Sequence, residues 1–238
     1  MATFVLVHGA CHGGWCWEKV VPLLQAKGHK TCAPDLPALG NDHTPPANVT
    51  LADTVDKVAR ILDKQDELSI VVGHALGGVT ITELAEKRRR KIKALVYVCG
   101  LLPPSGKCGR DMTFEADTLF RRSRQLNPDG TTYSFARDKL PTLFYEDVSP
   151  EDRYRAMERL RPQPLAISTT PVTTTDERFG SVPRWYIECT HDNAIKIETQ
   201  RKIVAMTPCK VLTMECGHTP FYSAPEELVE HLDNISKS

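Results

Sequence analysis

Three positions of the chain have the residue types and the chain order of an acyl-transfer site. Asp192 and His218 each follow a predicted strand, and a carboxylate that orients a histidine is a common proton-accepting pair. The third position lies earlier, in the run Gly-His-Ala-Leu-Gly over residues 73–77. A sharp strand-to-helix turn of the form G-x-S-x-G presents a nucleophilic serine, and Ala75 stands where that serine is expected. The sequence therefore predicts an acid and a base beside a nucleophile position that lacks its hydroxyl group.

A loop after the first predicted strand could stabilise the negative charge that such a reaction develops. Residues 8–10 (His-Gly-Ala) directly follow the apolar run 3–7. In sites of this kind one backbone N–H comes from this loop, and another comes from the residue after the nucleophile. We therefore expect the N–H groups of Ala10 and Leu76 to form an oxyanion hole.

Asp192 and His218 also have purely structural interpretations. Asp192 could cap a helix and His218 could lie in a surface turn. Their order after the 73–77 turn favours catalysis, because acid and histidine follow the nucleophile in that order. His191 lacks a Gly-His context at a strand end, and we expect Asp35 to brace a loop. Ordinary surface or turn positions are expected for the remaining histidines considered, His12, His29, His43 and His231.

The elements that must position these residues alternate between strand and helix. Short apolar or β-branched runs predict strands at about 3–7, 29–33, 68–72, 92–99, 183–189 and 209–214. Helices are predicted near 15–27, 51–65, 76–90, 196–205 and 225–235. This alternation predicts an α/β fold with a mostly parallel central sheet and helices on both faces.

The stretch 103–178 interrupts the alternation. We expect it to be a cap, or lid, inserted after the fifth strand and lying over the carboxyl ends of the strands. Residues 1–102 and 179–238 would then form the core. A disordered linker is the alternative, and scattered aromatic residues favour a packed lid. These are Phe114, Phe120, Tyr133, Phe135, Phe144 and Tyr145.

The composition argues against several classes of partner. Basic and acidic residues number 30 each, so the zero net charge argues against nucleic acid or an anionic membrane. The basic run 87–91 lies at a predicted helix end, where cations complement the helix dipole. No apolar stretch has the length of a membrane span, and no basic leader is visible. Eight cysteines without a C-x-x-C pair or metal-ligand spacing predict free, mostly buried thiols, no metal, and a cytoplasmic location.

Several segments resemble the plant methylesterase and hydroxynitrile lyase family of α/β-hydrolases. The matching segments are 4–15, 23–24, 28–30, 73–78, 176–182 and 189–192. The ending Gly-His-Thr-Pro-Phe at 217–221 is similar to that of bacterial pyrethroid-hydrolysing esterases. The resemblance implies an α/β-hydrolase fold with no cofactor, a serine at position 75, acid Asp192, base His218, and oxyanion donors Ala10 and Leu76. A homodimer is common in that family.

The resemblance favours an esterase over a lyase. Lyases of the family have a threonine where this chain has Gly9, and a lysine where it has Thr219. The expected ligand is a small, largely apolar carboxylic ester or its acid product.

Three interpretations of Ala75 stay open. The chain could be an esterase whose serine has been changed to alanine, a natural non-catalytic binding protein, or a protein that performs lyase or other chemistry with His218 alone. The first is favoured because the acid and the histidine are both retained.

Overall fold

The computed structural model describes residues 1–113 and 118–238. Phe114, one of the aromatic residues expected to pack in the lid, lies outside the described residues. The strands are Thr3–Val7 (β1), Lys30–Cys32 (β2), Ser69–His74 (β3), Ile92–Val98 (β4), Arg124–Leu126 (β5), Thr132–Phe135 (β6), Gln163–Pro164 (β7), Arg184–Cys189 (β8) and Lys210–Met214 (β9).

Within the described residues, ten helices and five short 3₁₀ segments connect or flank these strands. The helices are Val20–Ala26 (α1), Leu51–Asp63 (α2), Gly77–Arg88 (α3), Leu119–Ser123 (α4), Leu140–Phe144 (α5), Pro150–Arg159 (α6), Leu165–Thr169 (α7), Ile197–Met206 (α8), Pro220–Ser223 (α9) and Pro225–Ser236 (α10). The 3₁₀ segments are Gly14–Trp17, Pro46–Asn48, Arg89–Lys91, Gly109–Met112 and Arg137–Lys139.

Six strands form one sheet in the order β2-β1-β3-β4-β8-β9, and every pairing in it is parallel. β1, β3 and β4 consist almost entirely of buried residues, because helices cover a parallel sheet. Val7 pairs with Gly73, and His74 pairs with Val98. The loops that follow β1, β3 and β4 therefore leave the sheet side by side at its carboxyl edge.

The predicted alternation of strands and helices is confirmed. β3 continues two residues further than expected, so that Gly73 and His74 belong to the strand and the turn begins at Ala75. The prediction that the insertion follows the fifth strand is wrong. Only β1 to β4 precede residue 103, so the chain leaves the sheet after its fourth strand and returns to it at β8.

The segment 103–178, called the inserted segment below, is folded in its described part. β5, β6 and β7 form a separate antiparallel sheet, and α4 to α7 accompany it. Tyr133, Phe144 and Tyr145 are at most 2% exposed. A disordered linker is therefore the wrong interpretation of this segment. The boundaries of the core and the cap stay a prediction.

Two further expectations concern membranes and thiols. Among the described residues, no helix combines the length and the apolar character needed to cross a bilayer. All eight cysteines are free, and six of them are buried, whereas Cys32 and Cys209 are partly exposed.

Candidate active site

Ala75 occupies the turn between β3 and α3 in a strained conformation. Its φ of 46° lies in the left-handed region, which is costly for a residue with a Cβ. The turn is fixed to the end of β4: the Ala75 N–H donates to the carbonyl of Val98 at 3.1 Å, and its carbonyl accepts from the Leu101 N–H at 2.9 Å. The alanine side chain lines a cavity. The turn thus keeps the geometry that would present a nucleophile, but it carries only a methyl group.

Two glycines allow the turn and the loop after β1 to approach closely. A Cβ on Gly77 would lie 2.6 Å from the carbonyl oxygen of His8. A Cβ on Gly9 would lie 2.7 Å from Nδ1 of His74 and 3.0 Å from the Cβ of Ala75. The two contacts below 3.0 Å, to the His8 carbonyl oxygen and to Nδ1 of His74, are too short for a Cβ. The threonine that family lyases have at the position of Gly9 therefore has no room here.

The predicted oxyanion donors both line the same cavity as Ala75. Within the described part of the chain, neither the Ala10 nor the Leu76 N–H donates to a protein acceptor. The next residue of the loop, Cys11, has a positive φ of 64°. Its N–H donates to Oε1 of Gln163 at 2.9 Å, and its carbonyl accepts from the Arg161 N–H at 2.9 Å. The inserted segment thus fixes the loop and leaves two N–H groups available at the cavity.

Asp192 and His218 are hydrogen-bonded to each other. Nδ1–H of His218 donates to Oδ2 of Asp192 at 2.8 Å, and both side chains are almost fully buried. Oδ1 of Asp192 accepts from the N–H groups of Ala194 and Ile195 at 2.7 and 2.8 Å. Asp192 therefore braces its own loop and also orients the imidazole. This arrangement leaves Nε2 of His218 as the ring nitrogen that can accept a proton.

Asp35 does not compete for this histidine. Its two carboxylate oxygens accept from the N–H groups of Gly14 and Asn41 at 2.7 and 3.0 Å. The expected loop-bracing role of Asp35 is confirmed.

Sequence patterns did not identify several residues that position the pair. Nε2 of Gln200 lies 2.7 Å from the Ile195 carbonyl and 3.5 Å from Oδ2 of Asp192. Oδ2 of Asp147 accepts from the Gly217 N–H at 2.6 Å, directly before His218. These contacts join residues from different elements, and no local motif indicates them.

The expectation that His12 and His29 are surface or turn residues is wrong. His12 is 1% exposed and lines the cavity. Its Nδ1–H donates to the Ala10 carbonyl at 2.7 Å, and its Nε2 accepts from the Tyr145 hydroxyl at 2.8 Å. Burial lowers the pKa of His12 to about 3, so the ring is neutral near pH 7. His29 is also buried, and it contacts Asp233 at 3.1 Å. In both cases a distant partner covers a residue that sequence alone places in a turn.

His74 and Cys99 lie next to His218, and His74 also lines the cavity. Nε2–H of His74 donates to the His218 carbonyl at 2.8 Å, and burial holds the pKa of His74 well below its usual value. Ligand atoms of His74, Cys99 and His218 lie within 4.8 Å of one another. Nδ1 of His218, 3.8 Å from the Cys99 sulfur, is already bonded to Asp192. Burial raises the pKa of Cys99 to about 12, which disfavours the thiolate that a metal requires. A metal bound here would have to disrupt the Asp192–His218 pair.

The cavity above these groups has a volume of about 470 Å³, which suits a small organic molecule. Its floor contains Ala75 and His218, and its walls are mainly apolar. The inserted segment contributes most of the wall and rim, namely Gly109, Arg110, Thr113, Phe120, Arg121, Arg124, Leu126, Tyr133, Phe144, Leu165 and Ser168. Phe144 stacks on the His218 ring at a centroid distance of 5.2 Å.

A parallel sheet whose strand-end loops gather an elbow turn, unpaired backbone donors and an acid–histidine pair is the architecture of the α/β-hydrolases. The model of the alpha/beta hydrolase family matches residues 4–231, and the chain belongs to this family. The predicted α/β-hydrolase fold is confirmed.

Similar proteins include plant esterases. Methylesterase 1 of Arabidopsis thaliana is 35% identical over 253 aligned positions, which cover 98% of this chain and 95% of that protein. Salicylic acid-binding protein 2 of Nicotiana tabacum is 37% identical, covering 83% of this chain and 82% of its own length. The predicted resemblance to plant methylesterases is confirmed.

Two solved structures are similar over nearly the whole chain. A pyrethroid hydrolase from Sphingobium faniae has a TM-score of 0.91 and 27% identity, covering 100% of this chain and 98% of its own. Methylketone synthase I of tomato, in complex with 2-tridecanone, has a TM-score of 0.87 and 28% identity, covering 99% and 98%. Enzymes with different names thus share this fold.

Proposed function

We propose that this chain has the site of a carboxylic ester hydrolase of the methylesterase type, with the acid, the base and the oxyanion donors present and only the nucleophilic hydroxyl missing. One observation carries the proposal: the Asp192–His218 hydrogen bond of 2.8 Å lies at a cavity that Ala75, Ala10 and Leu76 also line. With Ala75 in place, we propose that the chain binds a small, largely apolar ester or its acid and does not hydrolyse it by the serine route. The esterase names of its relatives support the substrate class.

With a serine at position 75, the groups present are sufficient for acyl transfer. Nε2 of His218 would take the hydroxyl proton while the oxygen attacks the ester carbonyl. The N–H groups of Ala10 and Leu76 would hold the oxyanion. The imidazolium would then protonate the leaving alcohol, and water would release the acid through the same base. Asp192 would stabilise the charged ring throughout.

The decisive experiment restores the missing oxygen. Ala75→Ser should raise hydrolysis of p-nitrophenyl acetate by several orders of magnitude, since removing a serine nucleophile costs about a millionfold in one well-studied protease. Ala75→Ser combined with His218→Ala should return to the background rate. The unaltered chain should bind simple methyl esters or their acids in calorimetry. A folded Ala75→Ser protein that hydrolyses no ester in a broad panel would refute the proposal.

A cyanide-releasing lyase receives no support from the structure. Gly9 has no room for a side chain, and Thr219 is fully buried with its hydroxyl donating to the Phe144 carbonyl at 2.7 Å. Neither position could offer the groups that family lyases have there.

Loss of CO₂ from a β-keto acid is a second candidate, because that reaction needs no nucleophile at position 75. The bond between Cα and the carboxyl carbon breaks, and its electron pair forms an enolate. The N–H groups of Ala10 and Leu76 could hold the enolate oxygen, and protonation at carbon gives a methyl ketone. The structures of tomato methylketone synthase I include complexes with 2-tridecanone and β-ketoheptanoate.

The two candidates are separated by assaying the unaltered chain with β-ketoheptanoate. Catalysed decarboxylation would yield the methyl ketone that is one carbon shorter, faster than in buffer, and His218→Ala would slow it. Production of the ketone at the buffer rate would exclude this second candidate and leave the esterase proposal untouched.

We also propose a reducing, cytoplasmic location. The Cys189 thiol is in hydrogen-bonding contact with the thiols of Cys99 and Cys216, yet all three are free. Adjacent unbridged thiols are typical of reducing compartments. The homodimer that the family resemblance implies stays a prediction, and size-exclusion chromatography with light scattering would test it.

A further inference from the structure

Three arginines of the inserted segment line the mouth of the cavity. Arg110 and Arg121 are exposed, whereas Arg124 is half-buried. The guanidinium of Arg124 lies over the ring of Tyr133, 4.0 Å from its centroid. Nη2 of Arg121 donates to the Thr113 carbonyl at 2.7 Å. Contacts to a ring and to a carbonyl orient these cations without neutralising them.

No carboxylate from residues 1–113 or 118–238 forms an ion pair with these arginines, and none from those ranges lines the cavity. Some other arginines do form ion pairs, as Arg155 and Arg159 do with Glu18. Burial, together with repulsion by Arg110 and Arg121, lowers the pKa of Arg124. Among the described residues that line the cavity, this mouth therefore has three cations and no carboxylate, while the Asp111 carboxylate interacts electrostatically with Arg110 from outside the lining.

Below the arginines the cavity is apolar. Phe120, Tyr133 and Leu165 contribute to the wall. Among the described residues, the ionisable side chains at the floor are those of histidines, of which His12 is held neutral by burial. The inner part of a ligand that fills this space therefore contacts apolar groups, and its outer end contacts the arginines. Planar guanidinium groups bind carboxylate and phosphate oxygens in a bidentate manner.

We propose that the ligand of this cavity has a second, anionic oxygen group, which Arg110, Arg121 and Arg124 hold at the mouth while the ester end reaches Ala75. The ligand class is an apolar chain with an ester at one end and a carboxylate or phosphate at the other. This inference rests on the proposed function, because the ester end is assigned from the Asp192–His218 site.

Matched ligands test the inference on the unaltered chain. The dimethyl ester of an aliphatic dicarboxylic acid is neutral, and its monomethyl ester has the same backbone with a free carboxylate. We expect the monoester to bind about tenfold more tightly at low ionic strength, as partly exposed ion pairs allow. Added salt should reduce this preference because it screens the mouth. A phosphate monoester of an ω-hydroxy methyl ester of equal length shows which oxyanion is preferred.

Variants assign the preference to particular side chains. Arg124→Gln should remove most of it, and Arg110→Gln and Arg121→Gln should each remove less, because those two side chains are more exposed to solvent. The quantity compared is the ratio of the Kd values of the two esters, because a general change in the cavity would alter both values and leave that ratio unchanged. Arg124→Lys should retain part of the preference, since it keeps the charge and loses the planar fork. Arg60→Gln, an exposed position on α2 outside the cavity, is the charge-matched control and should have no effect.

The outcomes separate this inference from the proposed function. If the dimethyl ester binds and neither the carboxylate nor the phosphate improves binding, the inference is wrong and the esterase proposal stands. Glu115 and Asp117 fall in the part of the chain outside the described residues, so Glu115→Gln with Asp117→Asn is compared alongside. A preference that emerges only in that double variant would also overturn the inference. If no member of the series binds, and Ala75→Ser hydrolyses none of them, both proposals fail.

Discussion

The loops at the carboxyl edge of the central sheet and the inserted segment line the same cavity. Their polar groups differ in burial and in the protein partners that they have. At the sheet edge, His8, His12 and Asp192 are buried and each has defined protein partners. At the mouth, Arg110 and Arg121 are exposed and form no ion pair with a carboxylate in the described part of the chain.

This difference suits the two regions to different tasks, the reaction itself and the selection of the ligand. Buried groups with fixed partners hold one protonation state and one orientation, as chemistry requires. Cations at a solvent-exposed rim retain freedom to bind something that arrives from solution. The sheet edge would therefore set the reaction, and the inserted segment would select the ligand.

The largest expected effect concerns the sheet edge. In a chain carrying Ala75→Ser, the further change Asp192→Asn should lower kcat by about 10⁴-fold, the loss that follows when a triad acid becomes an amide. KM should change little, because Asp192 is behind His218 and does not line the cavity. Steady-state kinetics with p-nitrophenyl acetate measure both constants. A loss below about tenfold would mean that the pair does not act as proposed.

A smaller effect is expected from the wall of the inserted segment. Leu165→Ala in the Ala75→Ser chain should raise KM about tenfold for an apolar ester, since burying a leucine side chain is worth about 1.5–3 kcal/mol. The kcat should stay within about threefold if the sheet edge alone sets the chemistry. Leu126 also lines the cavity but is 61% exposed, so Leu126→Ala is the matched control with a weaker effect. If kcat falls by the same factor as KM rises, the inserted segment also affects the chemical step, and the division of tasks between the two regions is wrong.

The smallest effect is a pH dependence of stability that arises at the sheet edge. The pKa of His12 falls from 6.5 when unfolded to about 3 when folded, so the unfolded chain binds more protons between these values. The stability contribution is therefore complete above about pH 6.5 and is lost as the pH falls toward 3. Between pH 7 and pH 5 we expect His12 alone to lower the free energy of unfolding by about 2 kcal/mol.

Urea unfolding of the unaltered chain and of His12→Phe at both pH values measures this difference. The variant will be less stable at pH 7, because it leaves the Tyr145 hydroxyl and the Ala10 carbonyl without their partner. Its stability should nevertheless fall less between pH 7 and pH 5. If the free energy of unfolding falls equally in the two proteins between pH 7 and pH 5, His12 is not held neutral in the folded chain.

Local patterns were sufficient for the parts of the site that lie within one turn of chain. The glycines around Ala75 and the strand before it predict the elbow, because a tight strand-to-helix turn requires those residue types in that order. The loop that contains Ala10 and the strand ends before Asp192 and His218 follow from the same alternation. Parallel strands bring their carboxyl ends to one edge, so chain order alone predicts that these residues meet.

Contacts between distant segments could not be predicted from the sequence patterns. Gln163 bonds to Cys11 across 152 residues, and Asp147 holds the turn before His218 from the inserted segment. The sequence predicts a surface or turn position for His12, because nothing near it in the chain indicates that Tyr145 will cover it. The insertion begins one strand earlier than predicted, and strand pairing is not needed to see this, because only four of the predicted strands precede residue 103.

The sequence by itself determined the parallel α/β architecture, the order of nucleophile position, acid and histidine, and the absence of a hydroxyl at Ala75. These depend on residue type, periodicity and chain order, which are local properties. Only the tertiary structure decided that His12 is buried and neutral, that the loop carrying Ala10 is fixed by Gln163, and that Arg124 stands at the cavity mouth. Burial and charge environment depend on which distant residues pack together, and that packing is a property of the whole folded chain.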